Sequence, residues 1–151
     1  MRIIRGAAFS DINQILALID VFVRQGLLLS KTSYQLSQEI NDFLVCEDDD
    51  KVIACVALKK FSESLAEIRT LAVNPDFQGL GIGRDLVLNL IKTSPDSSIK
   101  NIFVLTYEEM FFAKLGFLKI DRNSLPEKIW TDCVYCSKHD DCDEIAMILS
   151  L

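Results

Sequence analysis

The stretch from Gln78 to Arg84 has the composition of an anion-binding turn. It places glycines at every second position (Gly79, Gly81 and Gly83) directly before an amphipathic helical pattern. Glycine lets the backbone approach a ligand closely, and the first amides of a helix have no intrahelical acceptor. Such a turn favours phosphate groups. The turn lacks both the Gly-Lys-Ser/Thr ending of a P-loop and the third glycine of the dinucleotide-binding fingerprint, which excludes both nucleotide motifs.

A second concentration of reactive side chains lies near the C-terminus, where ten residues contain three thiols and the only histidine. These side chains are Cys133, Cys136, His139 and Cys142. Thiolates and imidazole are ligands of structural zinc, but the spacing is tighter than in most zinc fingers. The alternative is a hairpin loop with reduced thiols, so structural zinc stays open and no metal ligand is assigned. Cys46 and Cys55 are predicted to be buried strand residues.

Helical and extended patterns alternate along the chain. The helices and strands that they predict must position the glycine-rich turn and the cysteine cluster. Period-two or continuous apolar patterns predict strands at Met1–Arg5, Phe43–Glu47, Val52–Phe61, Ser64–Val73, Ile99–Thr106, Phe117–Ile120 and Glu144–Leu151. Helical spacing predicts helices at Asp11–Arg24 (capped by Ser10), Ser33–Asn41, Arg84–Thr93 and Glu108–Leu115. Because tight hairpins join several of the strands, the pattern favours a mixed α/β sheet over a purely parallel one.

Length and composition exclude several classes of protein. The chain has 151 residues, the size of one domain, and a net charge of −6, which disfavours a nucleic-acid-binding surface. The longest apolar stretch, Ile15–Val23, is interrupted by Asp20 and is shorter than the roughly 20 residues of a membrane span. The charged start Met1–Arg5 is unlike a signal peptide, and the five cysteines suggest a reducing compartment. We expect a cytoplasmic domain that binds neither nucleic acid nor membrane.

The sequence resembles the GNAT acetyltransferase superfamily along most of its length. Residues 78–83 match the Q/R-x-x-G-x-G/A pyrophosphate motif of that superfamily, and Ala66–Val73 is similar to its fourth strand. Phe111–Phe117 resembles the segment that follows its fifth strand. Within the superfamily, Arg24–Leu29 and Leu36–Phe43 are similar to the acetyltransferase domain of N-acetylglutamate synthases.

The resemblance implies one N-acetyltransferase domain over residues 1–151, with a mostly antiparallel central sheet flanked by helices and with acetyl-CoA as cosubstrate. The residues that it places at acetyl-CoA are Leu71, Ala72, Val73, Gln78, Gly79, Leu80, Gly81, Ile82, Gly83, Arg84, Thr106 and Phe112. Many members carry a tyrosine at the position of Phe112 to protonate the leaving thiolate. Phe112 cannot donate a proton, and Tyr107 lies at a different spacing.

The resemblance also implies roles toward an amine acceptor. Glu67 matches the general base of many members, and strict alternation would put Glu67, Arg69 and Leu71 on one strand face. Arg69, about 6.5–7 Å from Glu67 along the strand, and Lys31 could bind the two carboxylates of a dicarboxylic amino acid such as glutamate. Alternatively, Glu67 is a solvated or ion-paired strand residue, and Arg69 pairs with it or points to solvent.

Other acceptors and functions stay open at this point. The acceptor could instead be a polyamine, an aminoglycoside or a protein N-terminus. A function of a different class is a non-catalytic regulatory module that binds coenzyme A. The expected partners are a small-molecule amine and, as a further option, a second copy of the chain in a homodimer.

Overall fold

A computed structural model describes residues 1–93, 98–125 and 144–151. Cys133, Cys136, His139 and Cys142, for which structural zinc was left open, lie outside the described residues. The strands are β1 (Arg2–Gly6), β2 (Phe43–Asp48), β3 (Lys51–Lys60), β4 (Leu65–Val73), β5 (Asn101–Thr106), β6 (Leu118–Lys119) and β7 (Ile145–Ser150). The α-helices are α1 (Ile12–Arg24), α2 (Ser33–Glu39), α3 (Ile82–Lys92) and α4 (Glu109–Lys114).

The chain divides into two compact units, and β4 contributes to both. Unit 1 comprises Met1–Lys59 and Ile68–Pro95, and unit 2 comprises Lys60–Glu67 and Asp96–Leu151. In unit 1 the strands follow the order β1-β2-β3-β4, and the pairings of β2 with β1 and with β3 are antiparallel. The β2–β3 hairpin turns at Asp49 and Asp50, both of which have positive φ angles, as tight hairpin turns require.

The core of unit 1 forms where α1 and α2 contribute apolar side chains that their helical spacing puts on one face. Its buried members are Ile15, Leu18, Ile19, Leu36, Ile40, Phe43, Val45, Val52, Cys55, Ala57 and Ala72. Cys46 and Cys55 are both buried, as predicted, and both are free cysteines. No helix in the described part of the chain is both long enough and apolar enough to cross a membrane.

In unit 2, β5 pairs with a parallel strand on one side and with an antiparallel strand on the other. The strands follow the order β4-β5-β7-β6, with Leu65–Glu67 of β4 parallel to Asn101–Phe103 of β5. The pairings of β7 with β5 and with β6 are antiparallel. Phe103 is fully buried in this unit, with the ring of Phe61 at 5.7 Å. The predicted mixed and mostly antiparallel α/β fold is confirmed.

Three predicted helix starts are wrong by one or two residues, and one of them is that of the last helix, which begins at Glu109 and not at Glu108. The first helix begins at Ile12 after a 3-10 turn over Phe9–Asp11, so Ser10 is not its cap. The carboxylate of Asp11 instead accepts the backbone N–H of Ala8 at 2.7 Å. The third helix begins at Ile82 and not at Arg84, because Gly81 ends the preceding turn in a left-handed conformation at φ 80°.

An ion pair fixes the start of α1 against β1 and β2. Both terminal nitrogens of Arg5 donate to the two oxygens of Asp11, at 2.7 and 3.0 Å, and its Nε donates to Glu47 at 3.1 Å. Asp11 is buried, and the hydrogen bonds from Arg5 hold the pKa of its carboxyl below the ordinary value of 3.8 against the opposing effect of burial. A bidentate pair of this kind is stronger than an exposed ion pair.

We expect Asp11→Asn to lower the free energy of unfolding by about 1.5–3 kcal/mol at neutral pH. Because the pKa of Asp11 is lower in the folded than in the unfolded protein, its contribution is present above about pH 4 and is lost as the pH falls through the lowered pKa. Urea unfolding at a series of pH values should therefore show the difference between wild type and variant shrinking in acid. Asp20→Asn is the control, since the Asp20–Arg24 pair is exposed. Equal effects of the two substitutions would contradict this prediction.

Candidate active site

The glycine-rich turn is anchored by polar contacts at the end of β4. The backbone N–H of Asn74 donates to Ile53 O at 2.8 Å, and Asn74 Oδ1 accepts the N–H of Asp76 at 2.9 Å. The side chain of Gln78 turns back and donates from Nε2 to Val73 O at 3.2 Å. The first residue of the glycine motif is therefore tied to the last residue of β4, which fixes where the turn begins.

The turn has the geometry of an anion-binding cradle. Gly79 and Gly81 have φ angles of 81° and 80°, and a Cβ at either position would meet no protein atom within 4 Å. No side chain caps the helix at Gly81, and the N–H of Asp85 makes a first-turn bond to Gly81 O at 3.0 Å. The amides of residues 82–84 precede that bond at the positive end of the helix dipole. Arg84 is exposed at the same helix start. These features fit a pyrophosphate group.

The other residues of unit 1 that are predicted to contact acetyl-CoA differ in the exposure of their side chains. Leu80 is exposed, whereas the side chain of Ile82 is buried in the protein, so only its backbone can reach a ligand. On β4, Ala72 is buried in the core, and Leu71 and Val73 are half-buried.

The regular alternation of β4 is interrupted at Thr70. Thr70 has a φ angle of 53°, in the left-handed region that a β-branched residue rarely adopts. The thiol of Cys55 donates to the carbonyl of Thr70 at 3.4 Å, and burial raises the pKa of that thiol to about 12, which keeps the donor protonated. The shared face predicted for Glu67 and Leu71 assumed unbroken alternation, so the structure does not support that inference across Thr70.

A small charged pocket lies in unit 1 at the start of β2, the end of β3 and the middle of β4. Its lining residues are Glu39, Asp42, Phe43, Ala57, Lys59, Arg69 and Thr70. Partial burial raises the pKa of the Asp42 carboxyl, as does the charge of Glu39, while Lys59 and Arg69 act in the opposite direction. The pocket therefore brings two carboxylates and two cations within electrostatic reach of one another, over an apolar floor.

The predicted acceptor ligands differ in their relation to this pocket. Arg69 is half-buried and lines the pocket. Lys31 is not among the lining residues, and its Nζ donates to Glu39 Oε2 at 2.7 Å. Sequence reasoning missed Lys59, Glu39 and Asp42. The available signal for Lys59 was a cation that ends the otherwise apolar run of β3.

The remaining predicted residues lie in unit 2. Glu67 is only 6% exposed and is in register with Phe103 of β5, so it is not a solvated surface residue. Thr106 is buried, and its hydroxyl accepts the backbone N–H of Glu108 at 2.8 Å. Phe112 is 2% exposed, with edge-on ring contacts to Phe111 and Phe117 at 4.9 and 5.2 Å. Its ring thus packs against two aromatic neighbours.

Comparison with known proteins places this architecture in a family. Residues 9–117 match the model of the acetyltransferase (GNAT) family. The chain belongs to the GNAT acetyltransferase family. The predicted acetyl-CoA-dependent N-acetyltransferase is thereby confirmed. Among the described residues, no group of three His, Cys, Asp or Glu side chains is arranged to hold a metal.

Several relatives extend over most of this GNAT chain. An uncharacterised N-acetyltransferase of Chlorobaculum tepidum is 35% identical over 98% of this chain and 96% of its own length. An amino-acid acetyltransferase of Mycobacterium tuberculosis is 34% identical over 91% of this chain and 79% of its own length. The amino-acid acetyltransferase of Escherichia coli is 35% identical over 82% of this chain, which spans only 28% of that protein.

Two solved structures resemble this GNAT chain in fold and in sequence. N-acetylglutamate synthase from Neisseria gonorrhoeae, complexed with coenzyme A and N-acetyl-glutamate, has a TM-score of 0.89 and 31% identity, covering all of this chain and 35% of that one. A Mycobacterium tuberculosis protein in complex with coenzyme A has a TM-score of 0.83 and 31% identity, covering 99% of each chain.

Proposed function

We propose that this GNAT enzyme acetylates the α-amine of an amino acid, and that glutamate is its acceptor. The observation that carries the proposal is the small pocket in unit 1, which is lined by the charged residues Glu39, Asp42, Lys59 and Arg69 together with the apolar Phe43 and Ala57. An amino acid presents carboxylate, ammonium and carbon chain together, and this lining complements all three. The relatives called amino-acid acetyltransferase support the same class of acceptor.

The glycine-rich turn is proposed to hold the pyrophosphate of acetyl-CoA. The amides of residues 82–84 would donate to the phosphate oxygens, and Arg84 would add a positive charge that the overall net charge of −6 does not supply. A backbone N–H near Leu71 or Val73 would donate to the thioester oxygen as it becomes an oxyanion. When bound, acetyl-CoA supplies the acyl carbon that the amine attacks, and coenzyme A would leave as a thiolate that takes its proton from water.

Glu67 is proposed to accept the proton of the acceptor ammonium. An alkylammonium group cannot attack a carbonyl carbon until it loses a proton, and a carboxylate within hydrogen-bond reach can take it directly or through a water molecule. The low exposure of Glu67 supports this role, because a carboxylate shielded from bulk water keeps a fixed position. The proton would rest on a carboxylate oxygen of Glu67.

Arg69 is proposed to bind a carboxylate of the acceptor. A guanidinium offers paired donors that match the two oxygens of a carboxylate, and Arg69 is among the residues that line the pocket. Lys31 would act through Glu39, whose charge it neutralises across the 2.7 Å ion pair. A polyamine would bring several positive charges toward Arg69 and Lys59, which disfavours it.

The test is an acceptor screen in which released coenzyme A thiol is detected. The panel contains glutamate, glutamine, aspartate, other amino acids, spermidine, an aminoglycoside and a peptide N-terminus. We expect the highest kcat/KM with glutamate. A preference for spermidine over every amino acid would overturn the proposal. If none of the amines in the panel is acetylated, a non-catalytic module is favoured.

Arg69→Ala should raise the KM for glutamate by about one to two orders of magnitude, as expected for losing a hydrogen bond between charged groups. The affinity for acetyl-CoA should change little. Arg24→Ala is the matched control, because Arg24 is an exposed residue at the end of α1 whose side chain pairs with Asp20. An unchanged KM in Arg69→Ala would contradict the carboxylate-binding role.

A further inference from the structure

One buried thiol contacts the backbone of β4 on both sides of Leu71. The Sγ of Cys55, on β3, donates to the carbonyl oxygen of Thr70 at 3.4 Å. Ala72 gives the same sulfur a backbone hydrogen bond, whose effect on the thiol pKa opposes the larger effect of burial. Because a thiol is both a weak donor and a weak acceptor, Cys55 uses both capacities toward the two peptide groups that flank Leu71.

The contact with Thr70 determines where the backbone N–H of Leu71 points. None of the peptide bonds in the described part of the chain is cis. In a planar trans peptide, the C=O of one residue and the N–H of the next point in opposite directions. Since the Thr70 carbonyl points to the Cys55 thiol, the Leu71 N–H points away from it. This N–H is one of the two donors proposed above for the thioester oxygen.

The conformation of Thr70 needs a contact that holds it. A φ angle of 53° is costly for a β-branched residue, and such conformations persist only where the surrounding structure imposes them. Thr70 also lines the charged pocket of unit 1, so this strained backbone lies at the candidate acceptor site. A change that turned the Thr70 carbonyl would turn the Leu71 N–H with it, because both atoms belong to one peptide group.

Packing alone does not require a hydrogen-bond donor at position 55. Cys55 is fully buried among the core residues of unit 1, where an apolar side chain of similar size would fill the same space. Burial raises the pKa of its thiol to about 12, so the thiol stays protonated in neutral and moderately alkaline solution. An apolar residue would leave the Thr70 carbonyl without this donor.

We propose that Cys55 is a positioning residue for acetyl transfer, whose thiol holds the Thr70 carbonyl and thereby directs the Leu71 N–H to the thioester oxygen. This inference rests on the proposed function for the place of acetyl-CoA along β4, but it holds for any amine acceptor. The Leu71 N–H would stabilise the negative charge that develops on that oxygen during attack by the amine. The thiol itself gains and loses neither a proton nor an electron.

The experiment compares kcat among variants of Cys55 that keep or remove the donor. Cys55→Ala and Cys55→Val remove it, and valine also restores most of the volume, so we expect kcat to fall by about tenfold or more in both. Cys55→Ser retains a donor and should stay within about threefold of wild type. Cys46→Ala is the matched control, because Cys46 is likewise a buried free cysteine but lies on β2, in register with Ala54. The acceptor is glutamate, or the amine with the highest kcat/KM in the panel.

A second variant tests whether the thiol acts through the backbone of Thr70. Asparagine adopts the left-handed conformation more readily than threonine, so a backbone with Asn at position 70 depends less on an external contact. Removing the thiol should therefore lower kcat by a smaller factor in a Thr70→Asn background than in the wild type. Equal factors in the two backgrounds would overturn the proposed link between Cys55 and Thr70.

Binding measurements separate positioning from packing. Coenzyme A lacks the acetyl group and therefore the thioester oxygen, so calorimetry should give Kd values for coenzyme A within about twofold of wild type in all Cys55 variants. Wild-type kcat in folded Cys55→Ala and Cys55→Val would overturn the role of Cys55 alone. An equal loss of kcat in Cys55→Ser, together with weaker binding of coenzyme A, would assign Cys55 to packing. A wild-type protein that acetylates no amine in the panel would overturn both this inference and the proposed function.

Discussion

Glu67→Gln should lower kcat by about 10²–10⁴-fold and leave the Kd for acetyl-CoA within about twofold of wild type. Glutamine has nearly the shape of glutamate, so the packing around this buried position is retained, but its amide cannot accept the ammonium proton. Without an internal base, the acceptor must lose its proton to solvent. The kcat/KM of the variant should therefore keep rising with pH toward the pKa of the acceptor amine.

Glu63→Gln is the control for this substitution. Glu63 lies in the exposed connection before β4, four residues from Glu67, and its substitution makes the same change in net charge. Thermal unfolding of both variants separates a loss of base from a loss of fold. A folded Glu67→Gln enzyme with wild-type kcat and an unaltered pH profile would assign Glu67 to packing and leave the base to another group.

The order of helices and strands could be predicted from the sequence because it depends on local periodicity. Apolar spacing gave α1 to within one residue of its observed start, and alternation together with hairpin signals gave β2 and β3. Alternation alone could not reveal the positive φ angle of Thr70, since threonine is a strong strand former that normally avoids this conformation. The conformation is compatible with a tertiary contact, the thiol of Cys55 on the Thr70 carbonyl.

The pairing between charged side chains was the other feature that could not be predicted from the sequence. Lys31 and Arg69 were both plausible ligands for a carboxylate because both are cations near the matched motifs. Which of them faces a pocket depends on where Glu39 lies, and Glu39 is eight residues away from the lysine with which it pairs. Lys59 could not be predicted as a pocket residue from the sequence, because a lysine near the end of a strand is common on protein surfaces.

The glycine-rich turn has some features that can be predicted from the sequence and others that only the structure shows. Its anion-binding chemistry follows from composition and from the helix that comes after it, both of which are visible in the sequence. Which of its glycines needs a left-handed backbone is visible only in the structure. Gly79 and Gly81 have that conformation, whereas Gly83 lies inside α3. Substitutions at these three positions should therefore act in different ways.

Gly81→Val should weaken acetyl-CoA binding by at least about 100-fold. Valine is strained at a φ of 80°, so the turn must change its path just where α3 begins. The open space around Gly81 means that the new side chain would meet no protein atom within 4 Å at its Cβ, so a clash within the protein is not the cause. The expected loss comes from displaced amides and from methyl groups in the space proposed for the pyrophosphate. Calorimetry with acetyl-CoA measures it directly.

Two further substitutions separate these causes. Gly81→Asn tolerates the left-handed backbone and should disturb the turn less, so any remaining loss of affinity reports the side chain in the ligand space. Gly6→Val is the matched control, because a Cβ at Gly6 also meets nothing within 4 Å but Gly6 does not have a left-handed backbone. Since Gly6 lies in β1, this variant should bind acetyl-CoA as wild type does. Undiminished affinity in a folded Gly81→Val protein would remove the turn from the acetyl-CoA site.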